Sequence, residues 1–88
     1  MITISFGTSF KHAYQKRILS NEKLKKIVET LEIFRNDPFD TRLRTHKLRG
    51  KLAGMQSFRV EYDVRVVFYF SEPQHAVLVD VGTHDEVY

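Results

Sequence analysis

The chain switches between a period of two and a period of three to four. In Met1–Phe6, Ile2, Ile4 and Phe6 alternate with Thr3 and Ser5, which predicts a short half-buried strand. Gly7 breaks it, and Thr8 or Ser9 can cap a following helix. Phe10, Ala13, Tyr14, Arg17 and Ile18 follow the helical period, and Ser20 or Asn21 resets the chain. A second helix is predicted from about Glu22 to Arg35. Leu24, Ile27, Val28, Leu31 and Phe34 make one apolar stripe on it, with Lys23, Lys25, Lys26, Glu29 and Glu32 lying away from the stripe. Asn36-Asp37-Pro38 ends this helix, because proline disfavours helical geometry in the residue before it.

The second half reads as extended. From Arg42 a strand or loop carries an unusual load of cations, and Gly50 and Gly54 bracket a turn. Ser57–Asp63 and Val64–Phe70 form the clearest hairpin. In its first strand Phe58, Val60 and Tyr62 alternate with Arg59, Glu61 and Asp63. The run from Arg65 to Phe70 is nearly all apolar, β-branched or aromatic, as expected of a central strand buried on both sides. Ala76–Val81 is a last strand, and Thr83–Tyr88 is left as a tail. The order β–α–α–β–β–β predicts an α+β fold, with an antiparallel sheet and a two-helix hairpin packed on one face. The first strand must join the sheet of the last three. The other sheet face, with Arg59, Glu61 and Arg65, becomes a polar, basic binding surface.

The length of 88 residues allows a single domain, 1–88. No cysteine is present, which removes a disulfide framework, a thiolate metal site and a Cys nucleophile together. Neither a charged leader with an apolar core nor a membrane-length apolar run is seen, so a cytoplasmic location is expected. The net charge of +3 is unevenly spread. Residues 42–65 hold seven Lys/Arg and two acids (+5), against seven and nine (−2) in the remainder. A localised stripe of this kind suits a phosphate-bearing or acidic partner, although like charges are also commonly just solvated.

Nucleotide-binding glycine motifs, a nucleophile elbow and a metalloprotease His pair are all missing. What remains is a group rich in His and Arg: His46 in the basic stretch, Arg65 at the start of the central strand, and His84 near the C-terminal Tyr88. Cleavage of an RNA phosphodiester needs a base for the 2′-hydroxyl, a cation for the charge developing at phosphorus and an acid for the leaving 5′-oxygen. Histidine suits both proton transfers because its ordinary pKa lies near neutrality, and arginine donates two parallel hydrogen bonds to a phosphate. No metal or other cofactor is required, because the attacking oxygen belongs to the substrate. A metal set of Asp63, His84, Asp85 and Glu86 is the weaker alternative, since three consecutive residues do not easily face one ion. His12 and His75 are read as surface residues.

Three stretches resemble the RelE/ParE superfamily of bacterial type II toxin–antitoxin toxins. His46–Gly54 (HKLRGKLAG) is similar to the family's "L-x-G-x-x-x-G" turn. Phe58–Val60 with Asp63–Phe68 is similar to its "R-v … d-x-R-v-i-y" hairpin, and Val81–Tyr88 to its "G-(S/T)-H-d-x-v-Y" ending. With the element order, the resemblance spans essentially the whole chain. It implies a ribosome-dependent endoribonuclease that cleaves mRNA in the decoding site. His46, Arg65, His84 and Tyr88 match the catalytic positions of the His-containing branch, although Asp85-Glu86-Val87 separates His84 from Tyr88. Arg44, Lys47, Arg49, Lys51 and Arg59 are the candidates for RNA contacts. The resemblance also implies an inhibitory antitoxin as partner, through which alone operator DNA would be reached. The superfamily includes gyrase inhibitors of the same fold, and a basic protein-docking module without catalysis is the blandest alternative. A gyrase inhibitor has no need of acid–base groups, so the histidine pair favours the nuclease.

Overall fold

A computed structural model describes residues 1–61 and 63–88, with the backbone only at Glu61. The expected alternation at Tyr62, and the place of the Glu61 side chain, lie outside the described residues. The elements run β1 (Thr3–Phe6), α1 (Thr8–Arg17), α2 (Asn21–Asn36), β2 (His46–Lys47), β3 (Gln56–Glu61), β4 (Val64–Glu72), β5 (His75–Gly82) and α3 (His84–Val87). The sheet has five strands in the order β1-β5-β4-β3-β2. The α+β fold and the joining of the first strand to the last three are as expected.

One strand departs from the antiparallel expectation: β1 pairs with β5 in parallel, with Ile4 opposite Ala76 and Phe6 opposite Leu78. Tight turns force β3, β4 and β5 to be antiparallel. β1 reaches the sheet through two helices, and such a crossover leaves its direction free. α1 also starts differently. Its N-cap is Gly7, which has no side chain to cap with, and Ser9 Oγ, already inside the helix, donates to the Val79 carbonyl at 2.7 Å. The Gly7 amide donates to the Leu78 carbonyl at 2.9 Å. A Cβ at Gly7 would lie 2.9 Å from that same backbone oxygen, so only glycine permits this approach.

α2 is capped by the residue at which the chain resets: Ser20 Oγ accepts from the amides of Glu22 and Lys23 at 3.2 and 3.3 Å. Its apolar stripe is wider than the surface it covers. Ile27 and Phe34 are buried, whereas Leu24 and Val28 stay exposed. With Phe6, Phe10 and Tyr14 they line an open apolar groove of about 390 Å³ between the helices. The core centres on Phe34, which stacks on Phe58 at 4.4 Å and meets Phe68 edge-on at 4.8 Å between ring centroids. Each such fully buried side chain contributes about 1.5–3 kcal/mol relative to exposure.

Alternation sets the two faces of β4. Val64, Val66 and Phe68 enter the core under α2, and Arg65, Val67 and Tyr69 point the other way. Burial on both sides therefore holds only in part, since Val67 is 1% exposed and Tyr69 is 37% exposed.

The cationic stretch is not one extended strand. Thr41–Leu43 forms a 3-10 turn, Arg44 takes a left-handed conformation (φ 51°), and only His46–Lys47 pair as a strand. The cause is local side-chain bonding. Asp40 accepts from the Arg42 amide at 2.9 Å and from its guanidinium at 3.0 and 2.9 Å. Those bonds from Arg42 hold the Asp40 carboxyl down at about 2. Gly50 and Gly54 both have positive φ, as a turn between them requires.

The predicted C-terminal tail is instead the one-turn helix α3. Thr83 and Glu86 form a reciprocal capping box: the Glu86 amide donates to Thr83 Oγ1 and the Thr83 amide to Glu86 Oε1 at 2.7 Å. No described helix is long and apolar enough to cross a membrane.

Candidate functional site

The site forms on the sheet face turned away from α1 and α2, where β2, β3 and β4 come together under α3. His46 lies directly opposite Ser57, and Ser57 opposite Val67. Directly opposed residues share a face, so these three form a row across the sheet. One step along, Arg59 lies opposite Arg65 and Arg65 opposite Gly82. Two guanidinium-bearing side chains thus neighbour one another beside the strand end that leads into His84.

α3 packs on β4 and β5 and closes over part of this face. Val67 and Ser57 are buried there although both point away from the helical layer. The Tyr88 hydroxyl donates to Ser57 Oγ. The Tyr88 ring meets the His84 imidazole edge-on, with centroids 4.6 Å apart. His46, Ser57, Tyr88 and His84 therefore form a continuous line of neighbours, and Ser57 is the buried link within it.

His46 is exposed, and its Nδ1 lies 3.0 Å from the Arg44 carbonyl oxygen. A carbonyl only accepts, so this bond puts the proton on Nδ1 and leaves Nε2 of the neutral ring as the basic nitrogen. The left-handed backbone at Arg44 thus has a consequence for chemistry, since it turns that carbonyl toward the imidazole. His84 is also exposed, with Nδ1 3.4 Å from Asp85 Oδ1. Arg65 is half-buried, and its Nη1 donates to the Val64 carbonyl at 3.3 Å.

α3 is held from the helical side by Arg17, which bonds Asp80 at 3.0 Å and the Val81 carbonyl at 3.2 Å and lies 4.0 Å from Glu86. Gly82 makes room for this junction. A Cβ there would meet Glu86 Oε1 at 2.8 Å and Arg17 Cδ at 3.0 Å. The bond from the Thr83 amide, with Arg17 and Lys23 nearby, holds the Glu86 carboxyl below the usual carboxylate range.

The other basic candidates are more dispersed than a single stripe. Arg59 shares the face of His46 and Arg65. Lys47 lies opposite Gln56, which itself faces Phe68, so Lys47 belongs to the helical side of the sheet edge. Arg44, Arg49 and Lys51 are exposed in the turns around β2. His12 is exposed on α1, as expected. His75 is not in a turn: it opens β5, half-buried, with Nε2 2.5 Å from Ser5 Oγ. Among the described residues no cluster of three or more His, Cys, Asp or Glu side chains could hold a metal ion. Ser57 and Arg17 were missed by sequence reasoning. The parity of Ser57 with Arg59 on one strand was the only available signal for the first, and nothing local marks the second.

The family model described as bacterial toxin of type II toxin–antitoxin system, YafQ, matches residues 2–88. The chain belongs to the YafQ toxin family. Solved structures agree on the fold. The protein HP0894 of Helicobacter pylori is 23% identical, with complete coverage of both chains and a TM-score of 0.79. YafQ of E. coli is 22% identical over 100% of this chain and 99% of its own, with a TM-score of 0.71. The toxin–antitoxin complex RelBE2 of Mycobacterium tuberculosis contains a chain 22% identical over 94% of this one and 91% of its own, with a TM-score of 0.76. No curated protein matches the chain. The family of YafQ toxins is thus established for all but the first residue, and the row from His46 to His84 lies within it.

Proposed function

We propose that this YafQ-family toxin is an endoribonuclease that cuts mRNA held by the ribosome and so blocks translation. The observation that carries the reading is the line His46–Ser57–Tyr88–His84 beside the Arg59–Arg65 pair, on one open sheet face. His46 is the base. Its Nε2 takes the proton of the 2′-hydroxyl, whose oxygen attacks the adjacent phosphorus. Arg65 stabilises the charge that develops on the phosphoryl oxygens. His84 gives its proton to the departing 5′-oxygen, and the products are a 2′,3′-cyclic phosphate and a 5′-hydroxyl end. Tyr88 is a positioning residue. Its hydroxyl is engaged by a buried serine, and its ring edge sets the His84 imidazole.

An antitoxin partner is part of the same reading. The RelBE2 neighbour is itself a toxin–antitoxin complex, and an acidic segment folding across the basic face would offset its like-charge repulsion. Coverage of His46 and His84, or displacement of α3, would silence the enzyme.

Inducible expression in a bacterial host is the test. Translation arrest with transcripts cut inside their coding regions, ending in cyclic phosphate, is expected. A DNA damage response with intact transcripts would point to gyrase inhibition and sink the nuclease assignment.

A further inference from the structure

The open sheet face continues beyond the candidate catalytic row, and its exposure changes abruptly along β4. Val67 is 1% exposed beneath α3, whereas Tyr69, two residues on and on the same face, is 37% exposed. Cover by α3 therefore stops between them. Tyr69 lies opposite Val77, and Val77 opposite Ser5. Ser5 is hydrogen-bonded to His75, on the same face. An aromatic ring is thus presented on a rigid central strand, next to an apolar side chain and within two strands of a polar pair.

We propose that Tyr69 is a stacking subsite for an unpaired base flanking the cleaved phosphate, an inference that rests on the RNA reading above. Four residues of strand separate Tyr69 from Arg65, about 13 Å at the usual rise. Val67, between the two on this face, is buried, so a single strand whose scissile phosphate sits at Arg65 and Arg59 has to pass across the outer side of α3 to lay a nearby base on Tyr69. Charge complementarity fixes one end of that path and the aromatic ring the other. Groove-and-platform binding of this kind, with cations on the backbone and aromatic faces under the bases, suits unpaired nucleic acid. The Ser5–His75 pair offers a donor and acceptors to the outer edge of a base spread across Tyr69 and Val77. Tyr69 keeps 37% of its surface exposed, which is where a base can meet its ring.

The test uses the full chain and ribosomes programmed with mRNAs that differ only at the base flanking the cut. Tyr69→Val keeps a β-branched strand former and removes the ring, and Tyr69→Phe keeps the ring. Tyr69→Val is expected to raise the half-saturating concentration about tenfold to a hundredfold, the effect of removing one base–aromatic stack. The rate at saturation should move far less. Wild type should favour a purine at the flanking position, Tyr69→Phe should keep that preference, and Tyr69→Val should lose it. A structural role for Tyr69 would lower the melting temperature without changing base preference. If wild type cleaves and Tyr69→Val matches it in half-saturation and base preference, the subsite is overturned and the nuclease reading stands. If wild type does not cleave programmed mRNA at all, that reading fails, and the subsite with it.

Discussion

The Tyr88 hydroxyl donates to the hydroxyl of Ser57, 31 residues earlier in the chain. Ser57 is fully buried and Tyr88 is 40% exposed, so the two ends of this bond are not equivalent. Removing the tyrosine hydroxyl strands a buried polar group, whereas removing the serine hydroxyl frees a tyrosine that can turn to water.

Tyr88→Phe should therefore destabilise the fold by about 1–3 kcal/mol and Ser57→Ala by about 0.5–1.5 kcal/mol. The double variant should resemble Ser57→Ala. Urea unfolding of the three variants gives the comparison, and equal costs for the two single changes would show that the bond does not anchor α3.

His46→Ala and His84→Ala should each slow single-turnover cleavage about 10²–10⁴-fold, the usual effect of removing one acid or base. Both side chains are exposed, so the melting temperature should hardly move. Wild-type rates in both variants would remove the histidines from the mechanism. Arg65→Ala should give a slow enzyme of unchanged specificity, because charge at the phosphate is no longer stabilised.

Strand register separates two lysine and arginine candidates that the chain order places together. Arg59 shares the face of His46, and Lys47 lies on the opposite side. Arg59→Ala should weaken RNA binding and flatten its salt dependence, the slope falling by about 0.7 for each single-strand phosphate no longer neutralised. Lys47→Ala should change the slope less. The reverse ranking in salt titrations would place the RNA on the other side of the sheet edge.

The capping box makes the seat of α3 sensitive to acid. The Glu86 carboxyl is held below its ordinary value of 4.5, first by the bond from the Thr83 amide. A depressed carboxyl stabilises the folded form fully above that ordinary value, and the contribution disappears as pH falls through the folded one. Glu86→Ala should accordingly lower the unfolding midpoint at neutral pH and converge with wild type in acid. A difference that does not change with pH would mean that the capping box contributes nothing through ionisation.

Gly7→Ala should cost about 1–3 kcal/mol, because its Cβ would press on the backbone oxygen of Leu78 and the strand cannot yield as a side-chain tip can. Thermal unfolding measures it. A neutral result would mean that β1 shifts freely against β5.

Elements with local causes were legible in the order of residues. The spacing of Ile27, Leu31 and Phe34, the break at Ser20-Asn21 and the Asn36-Asp37-Pro38 stop define α2. The glycines at 50 and 54 mark a turn, and the alternation of Phe58 and Val60 with Arg59 marks the hairpin beyond it. The residue types of His46, Arg65 and His84 already pointed to the chemistry proposed above. The remaining features needed the folded chain, because each depends on residues far apart along it. β1 is free to be parallel because two helices, rather than a tight turn, connect it to the rest of the sheet, and only its pairing with β5 decides the direction. The C-terminal residues form a helix because Thr83 and Glu86 cap each other and Arg17, from α1, holds the junction. Ser57 joins the candidate site only when Tyr88 reaches it across the sheet, and Val67 and Tyr69, alike in strand parity, differ in exposure only once the whole chain is folded. Periodicity specifies which face a side chain occupies, but not what packs on that face, which is set by the whole chain.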